Sequence, residues 1–536
     1  MTKIKSLQLT NSIWKAADIL RGSIEPSEYK EYLLPLIFYK YLSDKELTYV
    51  LKLIGKPTDT IRSAQKTFEV VCRDDDTRNV ILTKIQEGIG YIIRPEFTFM
   101  AHIQGIEEGT FQTEKLEESL QNIQNSNEVF SGIFEGMDLR SKRFGRTVES
   151  NSKTFSEVLQ AVSSIGSLTD YTQTELGEAF EGVIASIASA AGKKSGEFYS
   201  PHSINKLLPQ IALYGTQDQS ELSVYDPTMG SGSLLLSAQK YFHKPQSITL
   251  YGQELNRSTY NLARMNMFFH GVPIESQYLN QGDTLGLNWP SKGLTKFDAV
   301  LMNPPYSAKW LAEDTYLNDP RFKDFGVLAP KSKADYSFLL HGFYHLKDTG
   351  TMVILLPHGV LFRGGTEGKI RQTLLEMNAI DAIIGLPSNM LYGTSIPTAI
   401  IVLKKNRTTK DVLFIDASQD FEKEKNQNIL TDRNIKSILD TYNDRKNKPK
   451  YAHVTTFEKI VENDYNLNIP RYVDTFEEEE VSLDELSNGI KDTQQELHLV
   501  EIGLVNELKS LHEMNEKDEE ELENFIQQFL RLKNKY

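Results

Sequence analysis

The stretch VYDPTMGSGSLLLSA, residues 224–238, joins a short apolar run to a helical run through a turn that contains two glycines. Gly230 and Gly232 permit a tight turn and let a ligand approach the backbone closely. The phosphate-binding alternatives fit poorly, because no G-x-G-x-x-G follows a strand and GGTEGK (364–369) lacks the spacing and the serine or threonine of a P-loop. Asp226 stands at the end of the apolar run, and its carboxylate suits an ammonium group better than a pyrophosphate. The stretch therefore predicts a strand, a turn and a helix around a ligand that carries positive charge.

Short apolar runs alternate with helical stretches from about Ser220 onward. This alternation is typical of a doubly wound sheet, so the predicted fold class is α/β with a mainly parallel, seven-stranded sheet. Such sheets bind ligands outside the carboxyl ends of their strands. A further strand, DVLFIDAS, is expected after the seven. Those seven are residues 223–225, 248–252, 276–282, 297–302, 351–357, 381–387 and 398–405.

Helical patterns precede the sheet. Residues 1–165 are predicted to form a helical N-terminal domain, in which a first helix is capped by Asn11 or Ser12 and ends at Gly22. The sheet would then lie in a catalytic domain of residues 166–474.

Residues 475–536 are predicted to form a helical C-terminal tail. Apolar residues from Leu483 to Leu511 keep near-heptad spacing, which indicates an amphipathic helix. This stripe would pack either on its own chain or on the helices of a partner, and the pattern favours neither. The basic run DRKNKPK, residues 444–450, is expected to be a solvated loop, with a phosphate backbone as the less favoured alternative.

The composition limits the class of protein. The chain has 536 residues, of which 39% are hydrophobic and 25% charged, as in ordinary globular proteins. A single cysteine excludes a disulfide framework and a cysteine-built zinc site, and no metal is expected. The lack of a long apolar run and of a signal-peptide pattern predicts a cytoplasmic protein without a membrane span. The net charge of −14 leaves two alternatives: either the chain does not touch nucleic acid, or a partner supplies much of the contact.

Two further carboxylates follow predicted strands. Glu254 lies 28 residues after Asp226, one βαβ step along the chain. An acidic residue at this point can hold both ribose hydroxyls of a nucleoside, although a solvated glutamate at a helix start is the plainer interpretation. Asp283 ends the third strand and could accept a hydrogen bond from an adenine amino group. Three carboxylates in a row suit an adenosine that bears an amino acid and a cationic centre but no phosphate, and S-adenosylmethionine is that molecule.

The motif Asn303-Pro304-Pro305-Tyr306 directly follows the apolar run FDAVLM. A simple turn is the plain interpretation, because proline cannot donate to a sheet. Beside an S-adenosylmethionine site, the Asn303 side-chain oxygen and the Pro304 carbonyl would accept both hydrogens of an aromatic amino group. Its lone pair would then be available for methylation. The prolines would hold both acceptors in place, and Tyr306 would stack on a base flipped out of its duplex.

The motifs in this order resemble the modification (methyltransferase) subunits of type I restriction-modification systems, which are site-specific DNA adenine-N6 methyltransferases. The resemblance implies a Rossmann-like, S-adenosylmethionine-dependent methyltransferase core and a helical C-terminal tail for subunit assembly. It also extends over the helical N-terminal region. It rests on GEFYSP (196–201), DPTMGSG, GQELNRSTYNLARMNMFFHG (252–271), GDTL, MNPPY, GTMVILLPHGVLF (350–362) and YNLNIPRYVD (465–474).

The resemblance also implies roles for individual residues. Ser200 stands where the family usually has threonine, which keeps the hydroxyl, and Met229 replaces a common cysteine or alanine. The catalytic residues would be Asn303, Pro304, Pro305 and Tyr306. The cofactor-binding residues would be Glu197, Phe198, Tyr199, Ser200, Pro201, His202, Asp226, Met229, Gly230, Ser231, Gly232, Ser233, Glu254 and Asp283.

The partners implied by the resemblance are double-stranded DNA, a separate specificity subunit that reads the sequence, and a restriction motor-nuclease subunit. Two copies of this chain would join one specificity subunit. A DNA-reading partner agrees with the acidic charge of the chain. Two other functions remain alternatives: methylation of a protein side-chain amide, which needs a similar pocket, and a cofactor-binding scaffold without catalysis.

Overall fold

The computed structural model describes residues 2–21, 23–56, 59–192, 199–286, 290, 295–392, 394–424, 427–474, 483–511 and 516–533. The chain divides into two compact units, Met1–Asp474 and Thr475–Tyr536. None of the helices within these described ranges is long and apolar enough to cross a membrane.

Helices form the first part of the larger unit, as predicted. They pack around an aromatic-rich core that also takes in Leu262, Met265 and Phe269 of a later helix, and the rings of Phe180 and Phe269 stack at 4.4 Å. The helical region and the helix behind the second strand therefore share one core. The α-helices are α1 (Thr2–Ala17), α2 (Tyr29–Leu53), α3 (Ile61–Val71), α4 (Asp75–Ile89), α5 (Phe99–Glu107), α6 (Thr113–Ser126), α7 (Val148–Ser163) and α8 (Gln173–Ala191).

The first helix differs from its prediction. It spans Thr2–Ala17, so Asn11 and Ser12 lie inside it and do not cap it. The physical reason is burial: Leu9 and Ile13, one turn apart, are both buried in the core, and the polar pair between them faces outward.

A large, mainly parallel sheet follows, as predicted, but it has nine strands in the described residues where seven were expected. The two additional strands are the segment DVLFIDAS and the short AHVT, which pairs with it antiparallel. The strands are β1 (Leu222–Asp226), β2 (Ile248–Glu254), β3 (Gln277–Gln281), β4 (Phe297–Met302), β5 (Leu346–Pro357), β6 (Ile380–Gly385), β7 (Thr398–Lys404), β8 (Val412–Asp416), β9 (Glu422–Lys423), β10 (Asn428–Ile429) and β11 (Ala452–Thr455). The order in the large sheet is β11-β8-β6-β7-β5-β4-β1-β2-β3, and β9 and β10 pair antiparallel apart from it.

Helices cover both faces of this sheet. Successive strand residues point to opposite faces, so Leu301 packs in one core and its neighbours Val300 and Met302 pack in the other. The covering helices are α9 (His202–Ala212), α10 (Ser233–Tyr241), α11 (Arg257–Phe269), α12 (Asp335–Tyr344), α13 (Gly365–Glu376), α14 (Asp432–Asp444) and α15 (Phe457–Glu462).

The described residues of the smaller unit form two helices, α16 (Leu483–Lys509) and α17 (Glu516–Lys533), as predicted for the tail. The side chains of Val505 and Ile526 are buried. Most of the near-heptad stripe is not: Ile490 and Leu497, for example, are 53% and 58% exposed.

The basic run at 444–450 is not wholly solvated, because its arginine is used inside the fold. Arg445 adopts a left-handed backbone at the end of α14 and forms ion pairs of 3.1 Å with Asp381 and Asp411. Asp381 also pairs with Arg407 at 3.1 Å and accepts a hydrogen bond from Tyr442. Burial alone would raise the pKa of Asp381, but the charges of Lys404, Arg445 and Arg407 outweigh it and lower that pKa.

We expect Asp381→Ala to lower the free energy of unfolding by roughly 3–5 kcal/mol, because it removes the buried carboxylate that Arg407, Arg445 and Tyr442 share and leaves the buried Arg407 guanidinium without its nearest carboxylate. The control is Asp440→Ala, which removes an exposed i,i+4 partner of Lys436 and should cost about 0–1 kcal/mol. Urea unfolding of both variants, followed by tryptophan fluorescence, tests the difference. Equal losses of unfolding free energy in the two variants would show that Asp381 stabilises the fold no more than an exposed carboxylate does.

Candidate active site

A cavity of about 570 Å³ lies at the carboxyl ends of β1 to β4. Because β4, β1, β2 and β3 are adjacent and parallel, their carboxyl ends meet at one edge of the sheet. Asp226 and Glu254 are the last residues of β1 and β2, and Asn303 directly follows β4. The cavity is lined by Tyr199, Ser200, Asp226, Pro227, Thr228, Met229, Gly230, Ser231, Ser233, Leu234, Gln253, Glu254, Leu255, Asn256, Thr259, Asp283, Thr284, Asn303, Pro305 and Phe338.

Asp226 is the carboxylate at the centre of this edge and is only 2% exposed. Its Oδ1 accepts hydrogen bonds from the backbone N–H of Thr228 at 2.9 Å and from the Thr228 hydroxyl at 3.3 Å. Burial raises the pKa of Asp226 to about 7; the bonds from Thr228 oppose this rise and the negative charge of Glu254 adds to it. A cation in the cavity would stabilise the ionised form.

Glu254 connects the glycine turn to the start of α11. Its Oε2 accepts from the Gly230 N–H at 3.2 Å and its Oε1 from the Asn256 N–H at 2.8 Å. Burial raises the pKa of Glu254, although both hydrogen bonds and the charge of Lys30 lower it. Lys30 belongs to α2, and its ammonium donates to the Thr259 hydroxyl at the cavity wall at 3.1 Å. The helical region therefore places a cation near this carboxylate, which no local motif indicated.

The glycine turn is packed tightly against β2. Gly230 and Gly232 have φ values of +54° and +77°, in the left-handed region that favours glycine. The Met229 N–H donates to the Gln253 carbonyl at 3.0 Å. A Cβ added at Gly252 would lie 2.3 Å from the Met229 sulfur. The turn therefore packs directly against β2. Its residues Met229, Gly230 and Ser231 line the cavity.

A carboxylate from α8 holds the other side of this turn. Ser231 and Ser233 share a hydroxyl–hydroxyl hydrogen bond of 2.7 Å, and Ser233 donates to Glu181 at 2.6 Å. Asn266 of α11 donates to the same Glu181 oxygen at 2.6 Å and to the Ser231 carbonyl at 2.9 Å. Glu181 lies 52 residues before Ser233, so sequence reasoning missed it.

Asp283 lies two residues after β3, in a loop fixed from two directions. The Thr284 hydroxyl donates to the Pro227 carbonyl at 2.6 Å, which ties this loop to the glycine turn. The fully buried guanidinium of Arg321 donates to the carbonyls of Thr284 and Gly286 at 2.9 and 3.0 Å. The loop that contains Asp283 is therefore held by a residue that follows the Asn-Pro-Pro-Tyr motif along the chain.

The side-chain amide of Asn303 is held between two hydroxyl groups. Its Nδ2 donates to the Ser200 hydroxyl at 2.8 Å, and its Oδ1 accepts from the Tyr306 hydroxyl at 2.7 Å. Burial raises the pKa of Tyr306 well above its usual value, and the charge of Asp335 adds to the rise. The phenol therefore keeps its proton and remains a donor. The orientation of Asn303 follows from these two bonds.

The backbone after Tyr306 is anchored by a buried ion pair. The Ser307 N–H donates to Asp335 at 2.8 Å, and Ser307 itself has a left-handed φ of +51°. Arg363 pairs with Asp335 at 2.9 Å and with Glu367 at 2.5 Å. These contacts hold the motif between α12 and the segment before α13.

The structure brings most of the predicted site residues together. Eleven of them line the cavity, and Phe338 of α12, which sequence reasoning missed, lines it as well. Pro201, His202, Gly232, Pro304 and Tyr306 lie next to lining residues but outside the lining itself. Glu197 and Phe198 lie outside the described residues. The eleven are Tyr199, Ser200, Asp226, Met229, Gly230, Ser231, Ser233, Glu254, Asp283, Asn303 and Pro305.

A family model described as N-6 DNA Methylase matches residues 172–481, which is more than half of the chain. The chain belongs to the N-6 DNA methylase family. A second model, the HsdM N-terminal domain, matches residues 9–162 of this methylase.

Several proteins similar to this chain are named as type I methylase subunits. A type I restriction enzyme MpnII methylase subunit from Mycoplasma pneumoniae is 34% identical and covers 93% of this chain and 95% of its own. A type I restriction enzyme MjaVII methylase subunit from Methanocaldococcus jannaschii is 28% identical, over 97% of this chain and 83% of its own length. A crystal structure of a type I restriction-modification methyltransferase subunit from Streptococcus thermophilus is 50% identical, with a TM-score of 0.83, over 88% of this chain and all of that one.

These findings confirm the predicted family, fold class and enzyme class: this methylase is a DNA methyltransferase subunit of the type I restriction-modification kind. They do not favour a protein side-chain amide as the substrate.

Proposed function

We propose that this methylase transfers a methyl group from S-adenosylmethionine to N6 of an adenine flipped out of double-stranded DNA. The observation that carries the proposal is the position of Asn303. Its amide is fixed by two hydrogen bonds at the wall of a cavity whose neighbouring strands end in carboxylates. A donor and acceptor set of this kind suits an amino group beside a cationic nucleoside.

The residues of the cavity fit S-adenosylmethionine. Asp226 would face its ammonium, since a buried carboxylate with a pKa of about 7 gains most from a cationic partner. Both Glu254 oxygens accept backbone N–H groups, and the remaining acceptor positions of this carboxylate would serve the ribose hydroxyls. Asp283 would accept from the adenine amino group of the cofactor. When bound, S-adenosylmethionine would supply an electrophilic methyl group. The remaining predicted cofactor contacts, from Glu197 to His202, belong to this proposal.

Asn303 and the Pro304 carbonyl would act on the target nitrogen. An aromatic amino group is a weak nucleophile because its lone pair is delocalised into the ring. Two acceptors that hold both N–H groups would draw the nitrogen toward a tetrahedral shape, which resembles the transition state more than the planar ground state. The Tyr306 hydroxyl already occupies one acceptor position of Asn303 Oδ1, so the second remains for the target. The Tyr306 ring would offer a face for the base, and Pro305 would hold the loop rigid.

The proposed assembly extends this function. A type I methylase subunit is by name one part of a restriction enzyme, and we infer that a specificity subunit selects the DNA site and a motor-nuclease subunit completes the complex. We further infer two copies of this chain per specificity subunit. The acidic net charge of −14 supports a partner that supplies much of the DNA contact. We take residues 1–165, 166–474 and 475–536 as helical, catalytic and assembly regions.

We expect Asn303→Ala to lower the rate of DNA methylation at least about 100-fold, because it removes an acceptor that acts in the transition state. Affinity for S-adenosylmethionine, measured by calorimetry, should change little. Tyr306→Phe keeps the ring and removes the hydroxyl that orients Asn303, so a smaller loss of rate is expected. The control is Asn125→Ala, on an exposed position of α6. Turnover of Asn303→Ala within a few-fold of the parent would remove Asn303 from the reaction.

The raised pKa of Asp226 predicts that cofactor affinity depends on pH. Below its pKa of about 7 the carboxyl is increasingly protonated and cannot pair with an ammonium. Affinity should therefore fall as the pH falls, by roughly five- to tenfold between pH 7.5 and pH 6 if only the ionised form binds. Calorimetry with S-adenosylhomocysteine, the demethylated product, measures this. Asp226→Asn should bind weakly and without this pH dependence; the same fall in that variant would assign the effect to another group.

The exposed apolar stripe of α16 predicts a docking role for the tail. Deletion from Glu477 onward should leave a folded protein that binds the cofactor but no longer co-purifies with the specificity subunit, and site-specific methylation should be lost. Ile490→Asp with Leu497→Asp in the full chain tests the stripe itself, since both side chains are more than half exposed. Lys491→Ser with Gln494→Ser is the matched polar control. Co-purification of the truncated chain with the specificity subunit at normal stoichiometry would contradict the docking role. Aggregation of the truncated chain would show that the stripe packs on its own chain.

A further inference from the structure

Two segments beside the target-base motif are joined by backbone hydrogen bonds. The Ala334 N–H donates to the Ala308 carbonyl at 2.8 Å, and the Trp310 N–H donates to the Lys331 carbonyl at 3.1 Å. A turn closed by a bond of 2.9 Å from the Lys333 N–H to the Pro330 carbonyl shapes the second segment. The first segment begins directly after Tyr306, so this paired structure adjoins the motif.

The pairing brings three lysines together. Lys309 and Lys331 are exposed and Lys333 is half-buried. Among the described residues, no carboxylate oxygen forms an ion pair with any of the three ammonium groups. Residues 305–312 and 327–334 contain no aspartate or glutamate, although the whole chain carries 73 acidic against 59 basic side chains. A local positive patch therefore stands on an acidic protein.

This patch, Lys309, Lys331 and Lys333, is held on a rigid support. The Trp310 indole N–H donates to the Pro330 carbonyl at 3.2 Å, and its ring packs against Tyr316 and Phe322 at 5.5 and 5.6 Å. At the other end of the segment, Asp335 accepts a hydrogen bond from the Ser307 N–H and forms an ion pair with Arg363. The lysines thus project from a fixed backbone.

The patch is also close to the cavity. Lys309 is three residues from Tyr306, so their Cα atoms are at most about 11 Å apart even in a fully extended chain. Pro305, which lines the cavity, is exposed on the same loop. A base that enters the cavity must bring its own phosphates to this neighbourhood, because consecutive phosphates of one strand are joined through a single nucleotide.

We propose that Lys309, Lys331 and Lys333 bind phosphates of the DNA strand that carries the target base, next to the nucleotide that flips into the cavity. This proposal rests on the proposed function and names the DNA contact that belongs to this chain. The contact is to the phosphodiester backbone, so it positions the strand without reading its sequence. An acidic protein segment is the less favoured occupant, because it would cover the entrance through which the base has to pass.

The test replaces all three lysines with glutamine in the complete complex with the specificity subunit. The affinity for duplex DNA is measured by fluorescence anisotropy at several salt concentrations, without cofactor. Each lost phosphate contact should reduce the slope of log affinity against log salt by about 0.9, so a total change of roughly two to three is expected, with weaker binding to every DNA sequence. Affinity for S-adenosylmethionine and the thermal midpoint should be unchanged.

The control variant replaces Lys410, Lys436 and Lys459 with glutamine and has the same net charge as the patch variant. These exposed lysines belong to the segment before β8, to α14 and to α15, near the β11 edge of the sheet and outside the basic run at 444–450. An equal change of the salt slope in both variants would show that net charge alone causes the change, and would overturn the proposal. An unchanged salt slope in the patch variant would also overturn it. Loss of the specificity subunit from the patch variant would assign the patch to a protein partner instead. If the parent complex binds DNA but methylates none, the proposed function fails, and the slope still decides the role of the lysines.

Discussion

Four parallel strands that end at one edge of the sheet are the constraint on which the site depends. The strands β4, β1, β2 and β3 are paired in register, with Asp226 opposite Gly252 and Glu254 opposite Gln281. Each polar side chain at this edge stands at a strand end or within two residues of it, so its position follows from the backbone of the sheet and needs no long loop. A rigid scaffold of this kind is what a reaction between two bound groups requires, because small errors of position are costly in rate.

Buried charged groups hold the short loops that the sheet alone does not fix. The buried Arg321 binds the carbonyls after β3 and the buried Asp335 binds the backbone after Tyr306, while the half-buried Glu181 binds Ser233 in the glycine turn. Burial of a charge is unfavourable unless it is paired and hydrogen-bonded, so each of these groups has a specific partner. Loops held in this way have less conformational freedom to lose when a ligand binds, because much of the cost of ordering them is met on folding.

Sequence reasoning found what is local and missed what is distant. Asp226, Glu254 and Asn303 were predicted because each directly ends or follows an apolar run, and the edge of a parallel sheet then brings them together. Glu181, Arg321 and Phe338 carry no local signal, since their contacts to the site depend on how separate helices and loops fold back. The strand count was low for a related reason: β11 has only four residues and pairs with the sheet across an intervening helix. The start of α1 was misplaced because a polar pair on the outer face was taken for a cap.

The segment from Asn303 to Ala334 links the two halves of the site. It begins with the motif that would hold the target amino group, and its Arg321 reaches back to the loop that contains Asp283. The Ser200 hydroxyl, on the other side, connects Asn303 to the residues that precede α9 and line the cavity. A shift of either loop would lengthen these hydrogen bonds, and loss of the buried ones from Arg321 would leave buried polar groups unpaired. Under the proposed function, the spacing of the two ligand sites would therefore be set by the fold of the protein.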